Sequence, residues 1–484
     1  MVPRLFTILL GALLCNFSFA QRAPVEFELG FSGQFASNRW NPVRVTLRGV
    51  SEAELEIHID QGSLIAGEVP VIYRAQLPGG GGLSVFEDDV YIPPWRQLSW
   101  LIRSGRTTLA SGSFNPQDRS TVPIDLILSV NPGRWRPLYE AFARVVDANP
   151  SQLPQRAASY NGIRSIMIDG TTSPPRLEAI AAAAASGVTV ILITPLPNVY
   201  DDLLLLAPSP LNRLGSGWIV ITEEEAIQLP TLLSLTANNQ TQILTSLETA
   251  MGRPTQHNSP RLFLLLGFTV YSLSSLFLLR TGTPVAILSA FALGTILCMG
   301  GWVILRAEIP RLDTSLSLTV GGGELASHYT LHSLFNLRGA DHEVTLVGRF
   351  IENRPYSVTP ASITFSLDRG DRATLISKPM LTEAPLIWKN NALFNAGPGP
   401  ISTIYVTGFG MQDQTLVPET YLTPSRERFY NTPSISPPEL YLDLISYFPT
   451  GTAFGLSGQK VIIALPVAAD YPGDKSQRDQ KPKT

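Results

Sequence analysis

The chain has 484 residues, 36 basic and 39 acidic, for a formal net charge of −3. That length admits about three domains, and the near-balance of charge excludes the strong basic field with which nucleic-acid binders attract phosphate. Apolar residues make up 44%, and the two cysteines, Cys15 and Cys298, both sit in apolar runs, so the remainder has no disulfide, thiolate metal site or cysteine nucleophile.

Residues 1–20 carry Arg4, an apolar stretch from Leu5 to Cys15, and Ser18-Phe19-Ala20, with small residues at −3 and −1. This predicts a cleaved secretory signal. Leu14 is too large for the position before a lipidated cysteine.

Residues 21–118 read as a β-sandwich. Val25, Phe27 and Leu29 alternate with Glu26 and Glu28, Val43, Val45 and Leu47 with Arg44 and Thr46, and Leu55, Ile57 and Ile59 with Glu56 and His58. A period of two with one wet face is the pattern of an antiparallel sheet covered on one side. The loop Pro78-Gly79-Gly80-Gly81-Gly82 precedes no helix, so it is not a phosphate loop.

Residues 119–252 change character and predict an α/β domain with a parallel sheet, of amidotransferase or flavodoxin type. Strands are expected at Ile124–Leu128, Ile166–Ile168, Val188–Ile193 and Trp218–Thr222. One helix is expected over Leu138, Phe142 and Val145, and a second over Leu177, Ile180, Ala181 and Ala184, closed by Gly187. Thr222 and Glu225 have the spacing of a capping box for a further helix. Ligands of such sheets sit beyond the carboxyl ends of the strands. There the chain offers Asn131, Asp169, Thr194 and Thr222 as pocket candidates, and Asp169 alone among them titrates. The competing reading is a polar loop without a ligand.

Residues 261–306 predict a transmembrane hairpin. Leu262–Leu279 and Val285–Leu305 hold no charge, and each is long enough to cross about 30 Å of hydrocarbon. Arg280, Gly282 and Pro284 would form its tip. With an exported N-terminus, the tip faces the cytoplasm and the chain beyond it is exported again. Residues 311–472 read as a second β-sandwich, from the alternation of Leu316, Leu318 and Val320 and of Ile363, Phe365 and Leu367. Residues 473–484 are polar and charged, a disordered tail.

Several of these segments together resemble a group of bacterial envelope proteins. They are Leu128-Ser129-Val130, the string LPQRAASYNGIRSIMIDG from Leu153 to Gly170, VTVILI from Val188 to Ile193, and NRWNPVRVTLRG from Asn38 to Gly49. Proteins of that group combine an exported β domain, a class I glutamine-amidotransferase-like domain and transmembrane helices, and are often encoded near MoxR-type ATPases and von Willebrand A-type proteins. The resemblance implies the fold without the reaction. True amidotransferases need a cysteine on a tight turn with a histidine partner, and residues 119–252 contain neither. Arg164 also stands where an acidic residue is expected.

No G-x-S-x-G elbow, Walker loop, H-E-x-x-H or EF-hand loop is present. His328 and His332, if on a strand, would lie about 13 Å apart on one side, too far for one metal. The expectation is therefore a non-catalytic envelope protein without cofactor or metal. It would be anchored in the bacterial cytoplasmic membrane, with its domains on the extracytoplasmic side bound to another envelope or membrane protein. The alternatives are a cell-wall glycan or small-ligand binding module, for which Trp40, Trp95 and Trp100 are candidate aromatics, and a divergent hydrolase using Asp169 or a serine beside a histidine.

Overall fold

The computed structural model describes residues 24–62, 69–140, 143–194, 200–206, 211–223, 314–335, 340–367, 372–412, 414–424, 448–458 and 460–466, with isolated positions between 229 and 295. The expected signal, the acidic residues Glu224 and Glu225, and the tail lie outside the described residues, as does most of the expected hairpin.

The N-terminal segment supplies β1 (Val25–Leu29), β2 (Arg39–Arg48), β3 (Glu52–Asp60), β4 (Pro70–Pro78), β5 (Leu83–Ile92), β6 (Gln97–Ser104) and β7 (Thr107–Ser113). Strands β1, β2 and β5 form one antiparallel sheet in the order β1-β2-β5. In it Val25, Phe27 and Leu29 face Leu47, Val45 and Val43. Strands β7-β6-β3-β4 form the opposing sheet. Apolar side chains on the facing sides, among them Val45, Leu55, Ile57, Ile59 and Tyr73, share one core. The alternating residues Glu26, Glu28 and Arg44 stay on the wet side because charge resists burial without a partner.

This sandwich is not finished by its own segment. Strands β16 (Ala340–Val344), β18 (Tyr356–Val358) and β19 (Ile363–Leu367) extend the second sheet to the order β16-β19-β18-β4-β3-β6-β7. Tyr356, Ser357 and Val358 pair in parallel with Val71, Ile72 and Tyr73, and Gln61 donates from its amide to the Arg354 carbonyl at 3.3 Å. Phe350, Tyr356, Val358, Ile363 and Phe365 enter the N-terminal core. Residues 311–472 therefore do not make a self-contained second sandwich. Alternation identifies a strand and its buried face but carries no information about which sheet receives it.

The middle segment holds β8 (Ile124–Leu128), β9 (Arg144–Asp147), β10 (Ile163–Ile168), β11 (Thr189–Thr194), β12 (Leu211–Leu214) and β13 (Gly217–Glu223), in the order β12-β13-β11-β10-β8-β9. All adjacent pairs are parallel except β12 with β13. The expected amidotransferase-like or flavodoxin-like α/β domain is corrected here, because strands dominate the described residues and the helices among them are few and short. Of the expected helix over Leu138, Phe142 and Val145, Leu138 lies in a 3-10 turn and Val145 in a strand, while Phe142 lies outside the described residues. Short 3-10 turns at Pro132–Arg134 and Arg136–Leu138 lead instead into strand β9. Pro132 and Pro137 remove helical donors and fix their own backbone, and Val145-Val146 favour an extended chain. Turns at Pro150–Gln152 and Ala157–Tyr160 then lead into β10. Among the described residues of this segment the α-helices are Leu177–Ala185 and Asp201–Leu205, with isolated helical positions at Leu229, Pro230 and Leu233. The first is nearly all alanine on its buried side, which brings it close to the sheet. Thr222 is a strand residue of β13 rather than a helix cap.

The remaining segment adds β14 (Thr314–Gly322), β15 (Leu325–Phe335), β17 (Gly348–Phe350), β20 (Arg372–Ser377), β21 (Met380–Glu383), β24 (Ser402–Val406), β25 (Gly410–Gln412), β27 (Ala453–Ser457) and β28 (Lys460–Ala464). They form one sheet in the order β17-β20-β15-β14-β28-β27-β24-β25, with β21 alongside β15. Strands β22 (Leu386–Lys389), β23 (Ala392–Asn395) and β26 (Tyr421–Leu422) form a small separate sheet.

The transmembrane hairpin and the location built on it are also corrected. No helix among the described residues is long and apolar enough to cross a membrane. The helix Leu177–Ala185 has 9 residues, about 14 Å at the usual rise, roughly half of a hydrocarbon core.

Candidate functional site

Asp169 follows the last residue of β10, and its backbone N–H reaches the Leu128 carbonyl of β8 at 3.2 Å. The side chain is 4% exposed. The Trp135 indole N–H donates to Oδ2 at 2.5 Å, the Thr171 amide donates to Oδ1 at 2.9 Å, and the Thr171 hydroxyl donates to the same oxygen. Burial alone would push this carboxyl up. Donors from Ser129, Thr171 and Trp135 outweigh it and hold the group below the ordinary aspartate range. A carboxylate so stabilised is a weak base, the reverse of the raised pKa that general acid–base work at neutral pH requires.

The same bonds order the neighbouring loop. The Val130 amide donates to Thr171 Oγ1 at 3.0 Å, and the Asn131 amide donates to Ser129 Oγ at 2.9 Å. Asp169, Thr171, Ser129 and Val130 thus form one connected chain across the carboxyl ends of β8 and β10. Asn131 belongs to that loop through its backbone, and its side chain makes no cap hydrogen bond. Thr194 and Thr222 form a separate pair at the ends of β11 and β13, where the Thr194 hydroxyl donates to the Thr222 carbonyl at 3.1 Å. The Thr222 hydroxyl in turn donates to the Glu223 carbonyl at 3.2 Å. The four candidates therefore lie on one edge of the sheet but are engaged with their own loops and strands rather than converging on one point. Around them Val130 is 72% exposed and Leu177, which opens the long helix, is 37% exposed.

An open cleft of about 590 Å³ lies elsewhere, against the wet face of β1, β2 and β5. Glu28, Arg44, Arg48, Leu83, Val85 and Trp100 are among its walls, and none of the four sequence candidates is. Across the three strands Glu28 faces Arg44, which faces Glu87. Arg44 Nη1 and Arg48 Nε are buried and have no acceptor among the described residues. Trp100 stacks on Phe27 at 4.3 Å between ring centres. Trp40 and Trp95 are each 4% exposed and belong to the interior.

Two ionic clusters had no signal in the sequence. Asp125, fully buried on β8, accepts from Arg164 Nε at 3.0 Å, from Arg164 Nη2 at 2.7 Å and from Ser165 Oγ at 2.7 Å. This explains the arginine in the Tyr160–Arg164 string, whose partner lies across the β8–β10 ladder. Asp88 and Asp89 on β5 meet Lys378, which follows β20. Arg156 donates to Asp89 at 2.8 Å, the Ser159 hydroxyl donates to Asp89, and the Tyr73 hydroxyl donates to Asp88 at 2.6 Å. Burial pushes the Tyr73 phenol far up, helped by the adjacent Asp88 charge. His328 lies on β15, with its Nδ1 3.0 Å from Thr319 Oγ1. Among the described residues no three His, Cys, Asp or Glu are placed to share a metal ion.

No protein-family model matches this chain, and no curated protein matches it.

Proposed function

We propose that this chain is a non-catalytic binding protein that holds a protein partner at the carboxyl edge of the β8–β13 sheet. The supporting observation is Val130, an apolar side chain 72% exposed on a loop held by the Asp169–Thr171 hydrogen bonds. An exposed apolar side chain on an ordered loop, beside polar groups, has the composition of an interface's apolar core and polar rim. Asp169 serves as the clamp of that loop, consistent with its depressed pKa. The test places a photo-crosslinking phenylalanine analogue at Val130 and, separately, at Arg106 in the turn between β6 and β7. The expected result is a discrete adduct in cells from position 130 alone, weakened by Asp169→Asn. No adduct at 130, or the same adducts at both positions, overturns the reading.

A second reading follows from the cleft on the β1–β2–β5 face. Its volume of about 590 Å³ lies within the range of small-ligand sites, and two unsatisfied guanidinium donors line it. They fit a small polyhydroxylated or glycan ligand. Titrating oligosaccharides against wild type and Arg48→Met separates the two readings: saturable binding lost in the variant supports this one.

A further inference from the structure

Arginine carries most of the positive charge of this chain. Of its 36 basic residues six are lysine, and Lys378 is the first of them. Arginine also pairs with the buried carboxylates Asp125 and Asp89, through Arg164 and Arg156. Its planar fork meets a carboxylate bidentately, which an ammonium cannot do. Lys378 departs from this usage at a cluster shielded from water: its side chain is 17% exposed, that of Asp88 11%, and that of Asp89 not at all. What lysine has and arginine lacks is an accessible neutral form with a nucleophilic lone pair.

The backbone fixes both sides of the contact. Asp88 and Asp89 are consecutive residues of β5, paired with Val43 and Pro42 of β2. The Lys378 amide donates to the Val347 carbonyl at 2.8 Å, which anchors the residue directly after β20. Nζ then lies 2.8 Å from Asp88 Oδ1 and 3.0 Å from Asp89 Oδ2. The two carboxylates are not equivalent. Asp89 accepts from Arg156 at 2.8 Å and from the Ser159 hydroxyl, and its Oδ2 touches the amine, where it can relay protons. Asp88 accepts at its other oxygen from the Tyr73 hydroxyl at 2.6 Å, and burial keeps that phenol protonated. An amine, a carboxyl carbon, a proton relay and a hydrogen-bond donor to the carboxyl oxygen are thus in contact.

We propose that Lys378 and Asp88 are a modification site, at which the lysine amine condenses with the aspartate side chain to form an intramolecular isopeptide bond. The ion pair is the reactant state. Nζ attacks Asp88 Cγ and the C–N bond forms. Two of the ammonium protons pass by way of Asp89 to Asp88 Oδ1, the C–Oδ1 bond breaks, and that oxygen leaves as water. Asp88 Oδ2 becomes the amide oxygen, with Tyr73 donating to it while charge builds there. An ammonium and a carboxylate become a neutral amide and one water, so no oxidant, reductant or further reactant enters. Between separate molecules in water this condensation is unfavourable. Here the groups are held in contact, and the water is released from a site shielded from solvent. The bond joins residues 290 apart. It goes beyond the reading of the chain as a binding protein and does not depend on it.

The test digests the purified full chain, kept folded at neutral pH, and reads the peptides by mass spectrometry. Trypsin releases Ala75–Arg96 and Ala373–Lys389, because the bond from Lys378 to Pro379 resists it. The expected product is one species with the summed mass of both peptides less one water, with fragment ions joining Lys378 to Asp88. Lys378→Arg, which keeps the charge, and Asp88→Ala are expected to give the two peptides unlinked. Asp89→Asn is expected to slow the appearance of the linked species at least tenfold in protein whose circular dichroism matches wild type. Recovery of both peptides unlinked from folded wild type overturns the proposal, whatever the variants do. A link from Lys378 to Asp89 in place of Asp88 overturns it as well, and an unchanged rate in Asp89→Asn overturns the relay.

Discussion

Lys378 Nζ lies 2.8 Å from Asp88 Oδ1 and 3.0 Å from Asp89 Oδ2, joining residues 290 apart in the chain. It is the first lysine in the sequence. Asp89 is fully buried at its side chain and also takes Arg156, so the cluster ties β5, the turn before β10 and the residue after β20 into one unit. Removing one partner of a buried ionic group leaves an uncompensated charge. Lys378→Met is expected to cost about 3 kcal/mol, seen as a lower urea midpoint with little change of slope.

Arg164 and Asp125 behave as a pair. Arg164→Met strands a carboxylate with no exposure, and its expected cost is about 2–4 kcal/mol, at the lower end because the arginine is partly solvated. Asp125→Asn with Arg164→Met is expected to cost less than the sum of the single changes. A double-mutant cycle in urea reads the coupling, and strict additivity would contradict the bidentate bond.

Asp169 carries a pH signature. Its folded pKa lies below the ordinary aspartate value, so its contribution is present above about pH 4 and is lost as pH falls through the lowered folded value. Asp169→Asn is expected to lower stability by about 1–2 kcal/mol at pH 7. The gap to wild type should close as pH falls below the ordinary aspartate range. Urea midpoints of the two proteins at several pH values check the sign, and a gap that widens in acid would refute it.

Gly322 keeps the space for Arg213. A methyl group there would meet Arg213 Cδ at 2.7 Å and the Gly215 carbonyl oxygen at 2.9 Å. Gly322→Ala is expected to cost about 1–3 kcal/mol and to displace the guanidinium from Trp218. The thermal midpoint and the tryptophan fluorescence of the same variant test both halves.

Local pattern was legible in the sequence and long-range pairing was not. The alternation of Val43, Val45 and Leu47, and the run Ile124–Leu128, mark strands that the structure contains, because burial of one or both faces writes itself into neighbouring residues. The helix expected over Leu138 failed where proline and paired valines outweigh an apolar spacing. The hairpin expectation rested on uncharged runs, whose length alone does not establish a spanning helix. Asp169 was found from its position at a strand end, but its role depends on Trp135 and Thr171, which only the fold brings to it. Arg213 gave no signal at all, since its stacking on Trp218 follows only from the β12–β13 register.

The pairing of β18 with β4 has a consequence for biosynthesis. β4 leaves the ribosome roughly 280 residues before β18, an interval on the order of tens of seconds at about 5–20 residues per second. Throughout it, the backbone along Val71–Tyr73 waits beside a half-built core. The nascent chain thus displays a sticky strand edge for most of its synthesis, a period in which chaperone cover matters more than for a protein whose first sheet closes early. Chains that stop before residue 340 never acquire the strands that would cover it.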